Sequence, residues 1–283
     1  MPTIKLVSDG VFPILRNGSG THFPVVPQTG LAIPGTIQGE GKLAGIPVLF
    51  IRTAGCNLRC SWTLPDGTSS ICDTPLSSFD TRDSVEVEVK ALVETILLNR
   101  GNIEHLVISG GEPMVQPAAL GMLLKSLKEA YPFHIQIETN GTIFKEELAE
   151  YIDFFSISPK LSSSTPRTKA GPFKLSANAR LLHEARRKRI DVLQAFIDHA
   201  RRYSHKDFQL KWVYSKLSDI DEIKAINQEL EHVAPSDNLL MPLGANAGEV
   251  ALTEQECLVA CIQQGWRFSP RYHISLFGDK HGV

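Results

Sequence analysis

Ala54–Pro75 reads AGCNLRCSWTLPDGTSSICDTP and holds three of the five cysteines, Cys56, Cys60 and Cys72. Thiols gathered this closely in one stretch point to a bound metal or an iron–sulfur cluster rather than to packing. Cys56 and Cys60 are separated by three residues, and Cys72 follows after eleven more, with no further Cys or His in the stretch. Zinc sites and iron–sulfur clusters ordinarily take four ligands. A three-thiolate set therefore leaves one position at which a small molecule can bind.

The residues on either side place this stretch. Pro47–Thr53 (PVLFIRT) is a short apolar run that predicts a buried strand feeding directly into the cysteines. Ahead of it lies QGEG, Gln38–Gly41, whose glycines allow close approach of the backbone to a ligand or form a plain turn. Downstream, short apolar runs alternate with amphipathic segments: strands at His105–Ser109, His134–Glu138, Phe154–Ser158, Phe208–Tyr214 and Leu239–Pro242. Between them are expected helices over 84–100, 116–130, 145–151, 176–203 (broken near 190–191), 219–231 and 253–264. That alternation predicts an α/β fold, a parallel sheet or barrel of βα units. Ligands of such folds gather at the C-terminal strand ends. Four unusual polar segments stand at four such ends: the cysteine stretch, SGGEP (109–113), ETNGT (138–142) and SPK (158–160).

Composition narrows the classes. The 283 residues carry a net charge of −2, which gives no global attraction to nucleic acid or an anionic membrane. No apolar run is long enough for a membrane span. The opening MPTIKLVSDG does not read as a secretory signal. An odd number of cysteines argues for a reduced, cytoplasmic compartment. The whole chain is expected to be one domain with an irregular leader over 1–33, apart from a strand near Ile4–Val7. Thr63–Ile71, with its Pro65-Asp66-Gly67 turn, is expected to be a surface insertion. Cys257 and Cys261, four apart on a predicted helix, read as small apolar packing residues. The basic run Arg186–Arg189 reads as a solvated face.

Three cysteines with an open fourth iron suit a 4Fe–4S cluster that binds S-adenosylmethionine and cleaves it to a 5′-deoxyadenosyl radical. The carboxylate and backbone of the Gly-Gly-Glu-Pro segment fit the amino group of a methionine moiety. Glu138 and Asn140 are placed to reach a ribose, and Ser158 and Lys160 to hold other polar groups of the cofactor.

CNLRC followed by CDT, with SGGEP downstream, resembles the radical S-adenosylmethionine superfamily, with nine residues, Thr63–Ile71, inserted before the third cysteine. IQGEG, FIRTAGC, CDT, ISGGEP, ETNGT, ISPKLSSS and the RYHISLFGDKHGV tail together resemble the 7-carboxy-7-deazaguanine synthase family within it. The resemblance implies an incomplete (β/α) barrel, commonly dimeric, and a lyase of 7-deazapurine biosynthesis. The reaction would contract the ring of 6-carboxy-5,6,7,8-tetrahydropterin to 7-carboxy-7-deazaguanine, with loss of ammonia. It also implies an electron donor such as a flavodoxin or ferredoxin. By match of motif, Cys56, Cys60 and Cys72 would hold the cluster and Thr74 a Mg2+ ion. Ile37, Gln38, Gly39, Arg52 and Ser109 would face the substrate. Ile71, Cys72, Asp73, Gly111, Ser158, Pro159 and Lys160 would contact the cofactor. The alternatives from the residues are a glycyl-radical-activating enzyme, which needs a protein partner, and a non-enzymatic metal-binding module.

Overall fold

The structure is a computed structural model and describes residues 2–12, 31, 33–167, 169–170 and 173–278. The chain opens with β1 (Thr3–Phe12), β2 (Thr36–Ile37) and β3 (Pro47–Thr53), then a small hairpin of β4 (Ser61–Thr63) and β5 (Ser69–Ile71). A short α1 (Pro75–Ser78) leads to β6 (Ser84–Glu88), α2 (Val89–Asn99), β7 (His105–Gly110), α3 (Pro117–Ala130), β8 (His134–Thr139), α4 (Glu146–Ala149) and β9 (Phe154–Ile157). A minor pair, β10 (Lys169–Ala170) and β11 (Phe173–Lys174), precedes α5 (Ala177–Arg187), α6 (Ile190–Arg202), β12 (Asp207–Tyr214) and α7 (Asp219–Gln228). The chain ends through β13 (Asn238–Pro242), α8 (Ala247–Ala251), α9 (Glu254–Gln264), β14 (Arg267–Phe268) and α10 (Tyr272–Phe277).

One sheet runs in the order β14-β13-β12-β9-β8-β7-β3-β1-β6, with β2 paired to β3. From β3 to β14 every neighbouring pair is parallel. β1 and β6 extend it antiparallel, so the barrel stays open between β6 and β14. The helices shield its outer face through spaced apolar stripes, such as Leu120, Leu123, Leu124 and Leu127 on α3 and Val192, Leu193, Phe196, Ile197 and Ala200 on α6. Strand alternation sends Ile135, Ile137, Phe208 and Leu210 into that apolar layer, where all are fully buried. Their neighbours Gln136, Glu138, Gln209 and Lys211 consequently take the other face, where side chains bond to one another along β8 and across strands. The barrel interior is thus polar.

One expectation is extended and two need correction. The strand expected near Ile4–Val7 runs over Thr3–Phe12, since β1 finds partners in β3 and β6; the rest of the leader, 13–30, lies outside the described residues. The expected helix over 84–100 begins only at Val89, because Ser84–Glu88 pairs residue for residue with Thr3–Val7. The break in the expected 176–203 helix falls at Lys188–Arg189, just before its expected place.

Candidate active site

The strand ends converge on one pocket. Cys56, Cys60, Cys72, Asp73 and Thr74 line it from the cysteine stretch, Ser109–Gly111 from the end of β7, Glu138 and Asn140 from β8, and Ser158 and Lys160 beyond β9. Ile37, Gln38, Gly39, Arg52 and Ile71 complete the set expected from sequence; Pro159 is not among the lining residues. Arg52 and Ser109 stand side by side in register on β3 and β7, so both face the same opening.

The hairpin explains how a long cysteine spacing serves one site. Ser61 pairs with Ile71, Trp62 with Ser70 and Thr63 with Ser69, and the Cys72 amide donates to the Cys60 carbonyl at 3.1 Å. The nine inserted residues leave and return, and Cys72 lies across from Cys60. Only the tip is a surface loop. Leu64 is buried, and Ser70 is buried with its hydroxyl donating to Glu249 at 2.7 Å. Leu58, Trp62, Leu64 and Leu243 pack with Cys60 into an apolar cluster against which Cys56 and Cys72 also rest. Burial pushes the Cys56 thiol up to about 12 and the Cys60 thiol well above its ordinary value. All five cysteines are free. Burial outweighs the opposing charges of Arg59 at Cys56 and of Lys160 and Arg59 at Cys60, and three free thiols in such an apolar wall suit a soft metal centre that would take them as anions. Cys257 and Cys261, by contrast, are buried in the main core away from the pocket, as expected of packing residues.

Backbone glycines bring the cysteine stretch and the β7 end together. Gly110 has φ +125°, and a side chain there would strike the backbone of Thr53. Gly111 has no room for a Cβ against the carbonyls of Gly55 and Ser77. Glu112 differs from the reading of its motif. It is fully buried and does not line the pocket. Its carboxylate accepts from the amides of Met114 (3.1 Å) and Asn140 (2.6 Å) and from the Thr139 hydroxyl (2.9 Å), tying the β7 loop to the end of β8. Burial nevertheless raises its pKa to about 7. Here the protein itself engages the carboxylate of the motif. Asn140 donates to Asn57 at 2.8 Å and approaches Cys56 Sγ at 3.8 Å, while Lys160 donates to Ser158 Oγ at 2.7 Å.

The other end of the pocket is a network of charges. Lys211 Nζ contacts Glu40 at 2.5 Å and Glu138 at 3.4 Å. Arg271 Nε contacts Glu40 at 3.1 Å, and its Nη2 contacts Asp73 at 2.6 Å. Gln38 and Gln136 both donate to Glu138, at 3.1 and 3.2 Å. Burial on its own would raise the Glu40 carboxyl, but the charges of Lys211 and Arg271 outweigh it and hold the group well below the usual carboxylate range. The QGEG glycines also make room for the protein's own side chains. A Cβ on Gly39 would meet His273, and Gly41, at φ +76°, abuts Gln209. Lys211, Arg271 and His273 all line the pocket, and the sequence reading did not assign them. A lone lysine inside the apolar run FQLKWVY was the available signal.

Comparison with known proteins agrees with this geometry. The family model for the radical SAM superfamily matches residues 50–209. The chain is 35% identical over 257 residues to the 7-carboxy-7-deazaguanine synthase of Halobacterium salinarum, covering 86% of this chain and 88% of that protein. It is 31% identical over 249 residues to the synthase of Rhodopirellula baltica, covering 87% and 85%. Among solved structures, QueE from Escherichia coli superposes with a TM-score of 0.52 at 22% identity, covering 83% of this chain and 89% of that one, a likeness of fold.

Proposed function

Because the chain belongs to the 7-carboxy-7-deazaguanine synthase family of the radical S-adenosylmethionine superfamily, we propose that its pocket converts 6-carboxy-5,6,7,8-tetrahydropterin to 7-carboxy-7-deazaguanine with loss of ammonia. The observation that carries this reading is one pocket that gathers the three cysteines and the Glu40–Lys211–Arg271 charge network, with Arg52 and Ser109 side by side in its lining. When bound, a reduced 4Fe–4S cluster with S-adenosylmethionine supplies the 5′-deoxyadenosyl radical that begins the chemistry.

The chain's residues bind and orient. Cys56, Cys60 and Cys72 would hold the cluster, and Leu58, Trp62, Leu64 and Leu243 keep water from it. Backbone at Gly111, Ile71–Asp73, Asn140 and the Ser158–Lys160 pair would seat the methionine and nucleoside parts of the cofactor. Arg52 would take the substrate carboxylate in its planar fork. The Thr74 hydroxyl, 3.3 Å from Cys72 Sγ, would offer oxygen to Mg2+, a hard cation that favours such ligands. Ile37, Gln38 and Gly39 would meet the pterin ring. We assign Glu138 to this end as well, since its partners Gln38 and Lys211 belong to the charge network. Reacting atoms must sit within about 3–3.5 Å for hydrogen abstraction, and a carboxylate held by Arg52 restricts the substrate to few orientations.

A one-electron donor protein, a homodimer and a cytoplasmic location belong to the same reading. Among the described residues no helix is long and apolar enough to cross a membrane. The deciding assay supplies cluster-loaded protein with dithionite, S-adenosylmethionine, Mg2+ and 6-carboxytetrahydropterin, and looks for 7-carboxy-7-deazaguanine. Arg52→Ala should raise KM and lower turnover with iron intact, and Thr74→Ala should weaken stimulation by Mg2+. Absence of product from fully loaded wild-type protein would overturn the reading.

A further inference from the structure

On the outer side of the cysteine stretch lies a second cleft of about 340 Å³. Its walls include Arg167, Arg180 and Lys216 with the hydroxyl residues Ser61, Thr63 and Ser163, and no described lining residue is acidic. The three cations are exposed and make no ion pair among the described residues. The Ser163 hydroxyl is buried with no hydrogen-bond partner. Neighbouring carboxylates are already engaged: Glu184 and Glu222 both pair with Arg187, at 2.9 and 2.7 Å, and Glu222 also accepts from Ser162. This positive character is built into the chain. Residues 161–189 contain eight Lys or Arg and one Glu, in a protein whose net charge is −2.

Two further features bear on what would fill the cleft. The first is its position. Ser61–Thr63 follows Cys60 directly, and Trp62 lines both this cleft and the cysteine pocket. Trp62 is the one described residue that the two linings share. The second is the surface beside it. His183 is the one buried side chain among the described residues of α5, and Arg186 on that helix donates to the Asn57 carbonyl of the cysteine stretch at 3.3 Å. Leu181, next to Arg180, and Leu217, next to Lys216, are 69% and 68% exposed. A small anion would need the cations alone. Exposed leucines interspersed with unpaired cations are the composition of a protein-docking face.

We propose that this cleft and the exposed face of α5 are where an acidic one-electron donor protein, carrying a flavin or an iron–sulfur centre, docks to reduce the cluster. The inference rests on the function proposed above. In the step concerned, the donor is oxidised by one electron and the cluster is reduced by one, with no bond made or broken. Transient redox encounters are small and steered by complementary charge, which fits a face with few apolar anchors and many cations.

The test measures binding as well as turnover. An acidic flavodoxin is titrated into cluster-loaded protein at low and at physiological salt. The wild type should bind more weakly as salt rises. The triple variant Arg167→Glu/Arg180→Glu/Lys216→Glu should bind at least about tenfold more weakly at low salt, while Lys90→Glu/Lys125→Glu on α2 and α3 should match the wild type. Iron content and circular dichroism check folding, and Arg167→Gln/Arg180→Gln/Lys216→Gln replaces the triple variant if it misfolds. Turnover driven by dithionite should be unaffected in the triple variant, and turnover driven by reduced flavodoxin should fall with the affinity. Unchanged flavodoxin affinity, or equal loss in the control variant, overturns the proposal. So does loss of pyrophosphate or RNA binding with flavodoxin affinity intact, which would make the cleft an anion or nucleic-acid site. Wild-type protein that makes no product with dithionite refutes the ring contraction instead, and leaves the docking measurement to be judged on binding.

Discussion

The two ends of the pocket solve opposite problems. At the cysteine end, polar capacity is left open: three free thiols stand against Leu58, Trp62, Leu64 and Leu243, and burial keeps Cys56 and Cys60 protonated until something takes the proton's place. At the QGEG end, polar capacity is already matched: Glu40 is shared by Lys211 and Arg271, and Glu138 by Lys211, Gln38 and Gln136. An end built to receive a cofactor tolerates loss of its own groups in the empty protein. An end built from paired buried charges does not, because removing one partner strands the other.

That contrast is open to a crossed test. The largest effect is expected at the sulfur end. Cys56→Ala, Cys60→Ala and Cys72→Ala should each reduce iron from about four atoms per chain to almost none and abolish product, yet shift the unfolding of the cluster-free protein by no more than about 1 kcal/mol. Iron analysis and urea titration of the same samples decide it, and full iron loading in any one variant breaks the assignment. Glu40→Ala should do the reverse. It should leave iron loading possible and cost about 3–5 kcal/mol in urea unfolding, by leaving Lys211 and Arg271 buried without their common partner. Because the folded-state pKa of Glu40 lies below its ordinary 4.5, its contribution is fully present above that pH and is lost only as pH falls toward the folded value. A variant as stable as the wild type at neutral pH would show that the network is not structural.

Glu112 stands at the seam and titrates the other way. Its pKa rises from an ordinary 4.5 to about 7 on folding, so the folded protein keeps a proton that the unfolded chain gives up. Its contribution is present below pH 4.5 and is lost as pH climbs through about 7. Unfolding free energy of the wild type should therefore decline over that window relative to Glu112→Gln. Parallel pH profiles of the two proteins would count against a buried, protonated Glu112. The smallest effect belongs to thiols outside the pocket. The double variant Cys257→Ala/Cys261→Ala should keep its iron and product formation and lose about 1–2 kcal/mol, since these thiols pack as small hydrophobes.

What sequence reading reached, and where it stopped, follows the same division. The cysteines, the glycine turns and the strand ends were legible because each is a local signal: a spacing, a φ requirement, an apolar run ended by polar residues. The charge network was not, because Glu40, Glu138, Lys211 and Arg271 are joined only by folding, across as many as 231 positions between Glu40 and Arg271. The strand at Ser84–Glu88 was lost to the helix that follows it, since Val85 and Val87 also fit the helical stripe and the pairing with Thr3–Val7 is invisible locally. The partners of Glu112 were hidden for a related reason: nothing local in SGGEP shows that Thr139 and the Asn140 amide, from the next strand, bond to its carboxylate.

The β4–β5 hairpin also bears on how such proteins are catalogued. A motif written as fixed gaps between cysteines treats distance along the chain as a stand-in for distance in space. Here an antiparallel detour of nine residues changes the first and preserves the second. A pattern requiring two residues before the third cysteine would pass over this chain although its three sulfurs share one pocket. The detour also makes the tip, Pro65–Thr68, a place where evolution or an experimenter can vary length freely, provided the two ends still meet across the last pair of backbone hydrogen bonds.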